Sequence, residues 1–352
     1  MKVLESQQFI LGPAVRSFEA AICEYVGVKA AIGCANGSDA LFLSLLALEI
    51  GPGDEVITTP FTFFATAGAI ARAGATPVFV DIDPETFNID PHRIEARITA
   101  KTKAVMAVHL FGRMADCDEL LRVSKEHKLA LIEDGAQAIG SAYKGASAGT
   151  LGAMGTFSFF PSKNLGGSGD GGMIVTNDGA LPDRLRMLRV HGSRKKYHHE
   201  LLGINSRLDS LQAAILEVKL KYLDGWTAAR RSKAAFYGDL FTRYEIAPQH
   251  VSLPAIDSNY RHVFNQYVIR CGRRDELKQH LASAGITTEI YYPLPLHLQP
   301  AFAYLGYEKG DLPESESACE TVLALPIYPE LGERQQEVIV RAIGDFYSQR
   351  KT

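Results

Sequence analysis

The sequence contains no long apolar run. Its longest, Ala40–Leu48, is interrupted by Ser44. A membrane-crossing helix needs about 20 consecutive apolar residues, so no membrane partner is expected. The first residues, Met-Lys-Val-Leu-Glu-Ser-Gln-Gln, lack the apolar stretch of a signal peptide. Cysteine is scarce, and the five residues (Cys23, Cys34, Cys117, Cys271, Cys319) are scattered with no C-x-x-C pair. That excludes a disulfide framework or a cysteine zinc site and points to a reducing cytoplasm. A basic excess is also missing: 37 Lys and Arg face 40 Asp and Glu, a net charge of −3. No nucleic-acid partner is expected from such a balance. Repeats and low-complexity tracts are absent. With 46% hydrophobic and 22% charged residues over 352 positions, the chain has enough apolar material for a folded core, and its length suggests two domains.

What is there is an alternation of element types. Glu55–Thr59, Pro77–Asp81, Ala104–His109, Ala130–Glu133, Thr156–Phe160 and Met173–Thr176 read as short apolar or β-branched strands, and Thr66–Ala73 and Cys117–His127 as helices. The pattern predicts an α/β fold with a mostly parallel sheet and helices on both faces. After Asn205 the texture changes. Leu208–Tyr222 and Asp224–Tyr244 read as one long helical connector, Val263–Arg270 as a strand, and Arg274–Ala284 and Val338–Tyr347 as helices. This predicts a large domain, residues 1–225, and a smaller C-terminal α+β domain, residues 226–352.

In an open α/β sheet, ligands bind beyond the carboxyl ends of the strands, so residues there carry the chemistry. Gly37 and Ser38 follow Asn36 and open a helix through Leu48; they form either an anion-binding helix start or an ordinary cap. Asp134, in Glu133-Asp134-Gly135-Ala136-Gln137, follows a strand directly. It suits the carboxylate that pairs with the pyridine nitrogen of pyridoxal phosphate, or else a cap or structural ion pair. Lys163 lies in a Pro/Ser/Gly loop after Phe157-Ser158-Phe159-Phe160. A partly desolvated lysine there is a usable Schiff-base nucleophile, the bland alternative being a surface lysine; Ser158, five residues earlier, could bind phosphate. Asn205 and Arg207 stand at the start of the long helix as anion contacts or surface polarity. Phe63 could stack on a flat ring or belong to the core, and His297 sits in a Pro-rich loop. Gly167-Ser-Gly-Asp-Gly-Gly172 matches G-x-G-x-x-G, but a strand follows it rather than a helix, which excludes the dinucleotide fingerprint. Its glycines instead allow close backbone packing beside Lys163. His198 and His199 have no third ligand, so no metal is expected.

Taken together, Asn36-Gly-Ser-Asp-Ala-Leu41, Asp54-Glu-Val-Ile-Thr58, Glu133-Asp-Gly-Ala-Gln137, Ser158-Phe-Phe-Pro-Ser-Lys163, Asn205-Ser-Arg-Leu-Asp209 and Tyr292-Pro-Leu-Pro-Leu-His297 resemble the DegT/DnrJ/EryC1/StrS sugar aminotransferases. The resemblance covers about residues 8 to 345. Members usually carry a further strand-like segment ahead of Gln8, and often Thr and Trp or Tyr where Ser38 and Phe63 stand. The resemblance implies a fold-type I pyridoxal 5′-phosphate enzyme, a homodimer whose active sites are shared between chains. Lys163 would be the Schiff-base lysine, Asp134 the partner of the ring nitrogen, Gln137 a hydrogen bond to the ring 3-oxygen, and Phe63 the stacking residue. Gly37, Ser38 and Ser158 would hold the phosphate, with Asn205 reaching across from the partner. Relatives that dehydrate carry His at the lysine position, so Lys163 favours transamination. The expected reaction moves an amino group from L-glutamate to a nucleotide-linked keto-sugar, C3 favoured over C4, with Arg207 and His297 on the substrate side. A basic stretch from His191 to His199, followed by Arg207, is read as a diphosphate or sugar-acid contact at the dimer cleft or else a solvated loop. A fold-type I lyase or aldolase and a non-catalytic regulator are the competing readings.

Overall fold

The computed structural model describes residues 2–348; Met1 and 349–352, at the outer ends of the two expected domains, lie outside the described residues. The central sheet has seven strands: β1 Ala30–Cys34, β2 Glu55–Thr58, β3 Thr76–Phe79, β4 Thr102–Val108, β5 Ala130–Asp134, β6 Met154–Ser158 and β7 Gly172–Thr176. Their order across the sheet is β1-β7-β6-β5-β4-β2-β3. The ladders β3–β2–β4–β5–β6 are parallel, and only β7, between β6 and β1, runs antiparallel to both neighbours. Strands β1 and β7 are buried along their whole length, as strands covered on both faces must be.

Helices α1 Pro13–Val26, α2 Gly37–Ala47, α3 Ala65–Arg72, α4 Cys117–Glu126 and α5 Leu181–Leu188 flank the sheet. Helix α2 shows why its apolar run is so dense. Leu43 packs in one cluster beneath β1 and β7, while Leu41, Phe42 and Leu45 pack in another with Val56, Ala104 and Ile132 of β2, β4 and β5. A helix that is apolar all round is a buried helix. Helix α1 presents Val15, Phe18, Ile22 and Val26 inward at helical spacing, and Gly27 ends it with a left-handed φ of 85°.

The connector is two helices, not one. α6 spans Ser210–Leu220 and α7 Leu223–Arg243, with a turn at Lys221 and Tyr222 beside which Tyr222 stacks on Trp226 at 6.0 Å. Leu223, at the start of α7, belongs to the core that holds α1 and β7, whereas Ala234, Tyr237 and Phe241 further along it belong to a second core. That second core also takes residues from β9 Tyr267–Cys271, α8 Arg274–Ser283, β10 Val322–Leu325 and α10 Glu333–Ser348. β8 Val251–Ser252 completes the antiparallel sheet β8-β9-β10, and α9 Pro313–Thr321 leads into β10.

The expected strand Val263–Arg270 begins later, at Tyr267. Residues 262–266 instead dock on the large sheet's loops. Val263 N–H donates to the Gly112 carbonyl at 3.0 Å and Asn265 N–H to the Phe111 carbonyl at 2.9 Å. Asn164, next to Lys163, donates to the Val263 carbonyl at 3.0 Å and accepts from Asn265 at 2.7 Å. The second core is therefore tied to the lysine loop by fully buried polar contacts, which are costly to break singly. Among the described residues, no helix is long and apolar enough to cross a membrane.

Candidate active site

The carboxyl ends of β2, β5 and β6 and the start of α2 converge on one cavity of about 890 Å³. Gly37, Ser38, Phe63, Asp134, Gln137 and Lys163 all line it, and Ser158 closes the side beside Gly37. Seven of the ten residues named from the sequence therefore border this cavity.

Asp134 is the last residue of β5, and strand alternation turns Glu133 and Asp134 to opposite sides. Asp134 is 4% exposed. Its Oδ2 accepts from the Thr66 hydroxyl at 2.9 Å and its Oδ1 from the Ala136 N–H at 3.2 Å. Thr66 in turn shares a hydrogen bond with Thr62 at 3.1 Å. No cation lies within ion-pair distance of Asp134 among the described residues, and burial pushes its carboxyl above the ordinary range, against the opposing Thr66 and Ala136 hydrogen bonds and the more distant Lys163 charge. On the other side, Glu133 accepts from Gly149 N–H at 2.8 Å on one oxygen and from Leu151 and Gly152 N–H at 2.8 and 2.7 Å on the other. It also meets His109 Nε2 at 3.0 Å. Ala115 N–H donates to His109 Nδ1 at 3.2 Å, so the proton sits on Nε2 and points at Glu133. Burial opposes the Glu133 charge, but His109 and these amides outweigh it and hold its carboxyl below the ordinary value.

Lys163 ends a tight turn in which its N–H donates to the Phe160 carbonyl at 2.9 Å. The turn is closed by Gly166: a Cβ there would fall 2.3 Å from the Pro161 carbonyl oxygen. The glycine run thus serves close backbone approach, as the sequence suggested. Burial pushes the Lys163 ammonium below its ordinary value, with Asp134 partly restoring it. At the start of α2, Asn36 Oδ1 accepts the Asp39 N–H at 2.8 Å. The Gly37 and Ser38 N–H groups keep no acceptor among the described residues, and unpaired amides at a helix start attract anions. Phe63 is 58% exposed at the cavity wall, a costly place for an aromatic with nothing on its face, and Tyr292 leans on it at 6.3 Å. Gln137 accepts from Phe111 N–H at 2.6 Å and donates to the Tyr292 hydroxyl at 3.2 Å.

Thr62, Thr66, His109 and Tyr292 went unread in the sequence. Thr62 and Thr66 are four apart at a helix start, a spacing that puts both hydroxyls on one side; His109 directly follows β4.

Three named residues are placed elsewhere. His297 is a correction: it is 1% exposed and does not reach the cavity. Its Nε2 is held at 3.1 Å from Glu316, and the adjacent Leu296 N–H anchors the Pro-rich loop to the Pro60 carbonyl at 2.8 Å. The loop is functional-looking in composition, but the imidazole is the internal pin that holds it. Asn205 is exposed and Arg207 half-exposed, and neither lines this chain's own cavity. Asn205 bridges to Val190, and Ser193–Lys195 with His198–His199 forms a short exposed hairpin beside it.

The residues fit pyridoxal phosphate. Gly37 leaves room that a Cβ would close, 2.7 Å from the Ser158 Cβ, next to unpaired amides suited to a phosphate. The buried Asp134 carboxylate, without a cation, suits a protonated ring nitrogen. Lys163 and the open face of Phe63 border the space between. The fold and this site define a fold-type I pyridoxal phosphate-dependent aminotransferase. Residues 1–344 match the DegT/DnrJ/EryC1/StrS aminotransferase family, and the chain belongs to that family. It is 56% identical over 346 residues to a "pleiotropic regulatory protein" of Geobacillus stearothermophilus, covering 98% of this chain and 92% of that one. It is 46% identical over 334 residues to the UDP-N-acetyl-3-dehydro-alpha-D-glucosamine 3-aminotransferase of Acidithiobacillus ferrooxidans, covering 95% and 89%. The crystal structure of S. venezuelae DesV with a ketimine intermediate superposes with a TM-score of 0.94 at 42% identity, covering 98% and 92%.

Proposed function

We propose that this aminotransferase moves an amino group from L-glutamate to the C3 keto group of a nucleotide-linked hexose, with C4 as the alternative position. The observation that carries this reading is the basic inventory of the cavity. A small α-keto acid acceptor such as pyruvate, with little besides its carboxylate to hold, calls for a free guanidinium that clamps it bidentately, whereas glutamate and a nucleotide-linked sugar carry further groups to bind. The only arginine lining the cavity among the described residues is Arg72, already held by Asp39 at 2.9 Å. The other candidates are engaged elsewhere: Arg261 pairs with Asp224 at 2.7 Å, and Arg270 donates to the Pro84 carbonyl at 2.9 Å. At about 890 Å³ the cavity also exceeds what a cofactor and a small keto acid fill. The 3-dehydro sugar in the name of the Acidithiobacillus relative supports the C3 position.

In this reading Gly37, Ser38 and Ser158 hold the cofactor phosphate, Phe63 covers the ring, and Gln137 donates to or accepts from its 3-oxygen. The cofactor, when bound, supplies an electron sink for the carbon next to the substrate nitrogen. The Asp134 carboxylate keeps the proton on the ring nitrogen. The Lys163 amine, its ammonium destabilised by burial, would then be placed to take and return the proton of the donor Cα. Asn205 and Arg207 belong to the neighbouring site of a homodimer, which accounts for their distance from their own cavity. The division near residue 225 and a cytoplasmic setting, which fits five free cysteines, belong to the same proposal. A non-catalytic regulator, suggested by the name of the Geobacillus relative, would have no need of Lys163 and Asp134, both in place.

The test compares acceptors. With glutamate as donor, kcat/KM for a nucleotide 3-keto-hexose should exceed that for pyruvate by at least a hundredfold. Comparable values would overturn the sugar reading.

A further inference from the structure

Arg113 is an oddity in the described structure. It leaves the turn after β4, its N–H donating to the Leu110 carbonyl at 3.0 Å, while Asn88 Nδ2 donates to its own carbonyl at 3.1 Å. Its side chain is pulled inside, so that the residue is only 8% exposed, and the guanidinium lies 3.8 Å over the Tyr260 ring. Yet Nε and Nη1 are buried without a hydrogen-bond partner, and the group makes no ion pair among the described residues. A buried cation that meets only a ring face is poorly compensated, because the ring supplies neither acceptor nor full charge.

Arg113 borders a hollow of about 180 Å³. Arg231 of α7 lines the same hollow, exposed and with no ion pair among the described residues. His262, also in the wall, is held uncharged by burial and by the Arg113 charge beside it, its pKa pushed down to about 3. One carboxylate, Asp257, is present, and it already accepts the Asn259 N–H at 2.8 Å. The walls therefore carry two cations against one anion, and the buried cation has no partner. On its other side Arg113 faces a hollow of about 20 Å³ shared with Glu85, which makes no ion pair with it among the described residues, and with Gln266, whose Oε1 is likewise unpaired. That space admits one water, which could satisfy hydrogen bonds there but brings no charge.

We propose that Arg113 and Arg231 form a binding site for a small oxyanion, a phosphate or a carboxylate, separate from the catalytic cavity. The planar guanidinium fork matches both groups. The volume admits an inorganic phosphate or a short dicarboxylate and is small for a nucleotide.

The experiment uses the holoenzyme, so that the phosphate cradle at Gly37 is already filled. Melting temperature and calorimetric binding are measured with inorganic phosphate and with succinate, against chloride at equal ionic strength. One oxyanion should raise the melting temperature and bind in a saturable way. Arg231→Gln should weaken that binding about tenfold, and Arg113→Met should abolish it. Phosphate alone, or succinate alone, supports the site and identifies its ligand chemistry. Arg231→Gln changes an exposed residue, so it decides the matter even if Arg113→Met fails to fold. No oxyanion effect above chloride, or wild-type binding in Arg231→Gln, would overturn the proposal.

Discussion

Replacing Asp134 by Asn separates the carboxylate's charge from its place in the fold. The two neighbours tolerate the exchange. Ala136 N–H can donate to the amide oxygen as it does to Oδ1, and the Thr66 hydroxyl, 2.9 Å from Oδ2, can rotate to accept from the new NH₂. Thr62 lies 3.1 Å away to take the Thr66 proton. Burial already disfavours the Asp134 charge, so a neutral isostere should leave the cofactor-free protein as stable as wild type, or slightly more so. With cofactor bound, the balance reverses. The ring nitrogen loses a desolvated charge partner, a loss of about 2–5 kcal/mol for buried pairs. At 1.36 kcal/mol per decade this corresponds to a fall in turnover of roughly 30- to 5,000-fold. Stopped-flow spectroscopy of the glutamate half-reaction, with circular dichroism and calorimetry of the cofactor-free form, measures both sides. Turnover within about threefold of wild type would refute the assignment. So would a cofactor-free melting temperature lowered by several degrees, which would make Asp134 a structural residue.

Further outcomes are expected. Lys163→Ala should bind the cofactor without turnover, and borohydride should tether the cofactor of the wild-type protein to the peptide carrying Lys163, as peptide mass spectrometry would show. In the cofactor-free protein, burial pushes the Lys163 ammonium down, so the unfolded chain binds the extra proton up to about pH 10.4; stability should rise with pH between the depressed and ordinary values, and denaturant titrations of Lys163→Met should lose that slope. Glu133→Gln should cost about 3–5 kcal/mol by chemical denaturation, because both carboxylate oxygens accept amide N–H groups and either orientation of the new amide turns NH₂ toward a donor. Mixing inactive Lys163→Ala with inactive Asn205→Asp should restore activity if sites are shared, while Arg207→Ala should raise KM for the sugar far more than for glutamate.

The parallel sheet was legible because its strands are short apolar runs punctuated by turn residues, and the site because strand-end residues converge in such a sheet. β1 and α1 went unread: Ala30-Ala-Ile-Gly-Cys34 has low β-propensity and is a strand because β7 pairs with it from a distant part of the chain. Val263–Asn265 looked like strand and is instead loop, because Gly112 and Phe111 claim the N–H groups of Val263 and Asn265. His297 misled for a related reason. A Pro-rich loop near a cavity reads as functional, and only the tertiary contact with Glu316 reveals an internal pin. Thr66, which donates to Asp134, lies 68 residues before it in the chain, a separation that no local pattern spans.

The central claim is tested most directly by following the nitrogen itself. Holoenzyme would be incubated with ¹⁵N-glutamate and a panel of nucleotide-linked 3-keto and 4-keto hexoses, and the products read by mass spectrometry and ¹⁵N-edited NMR. The account predicts ¹⁵N bonded to C3 of the hexose with the nucleotide still attached. Label transferred to added pyruvate in preference to every sugar, or no label transferred at all by protein shown to hold the cofactor on Lys163, would contradict it.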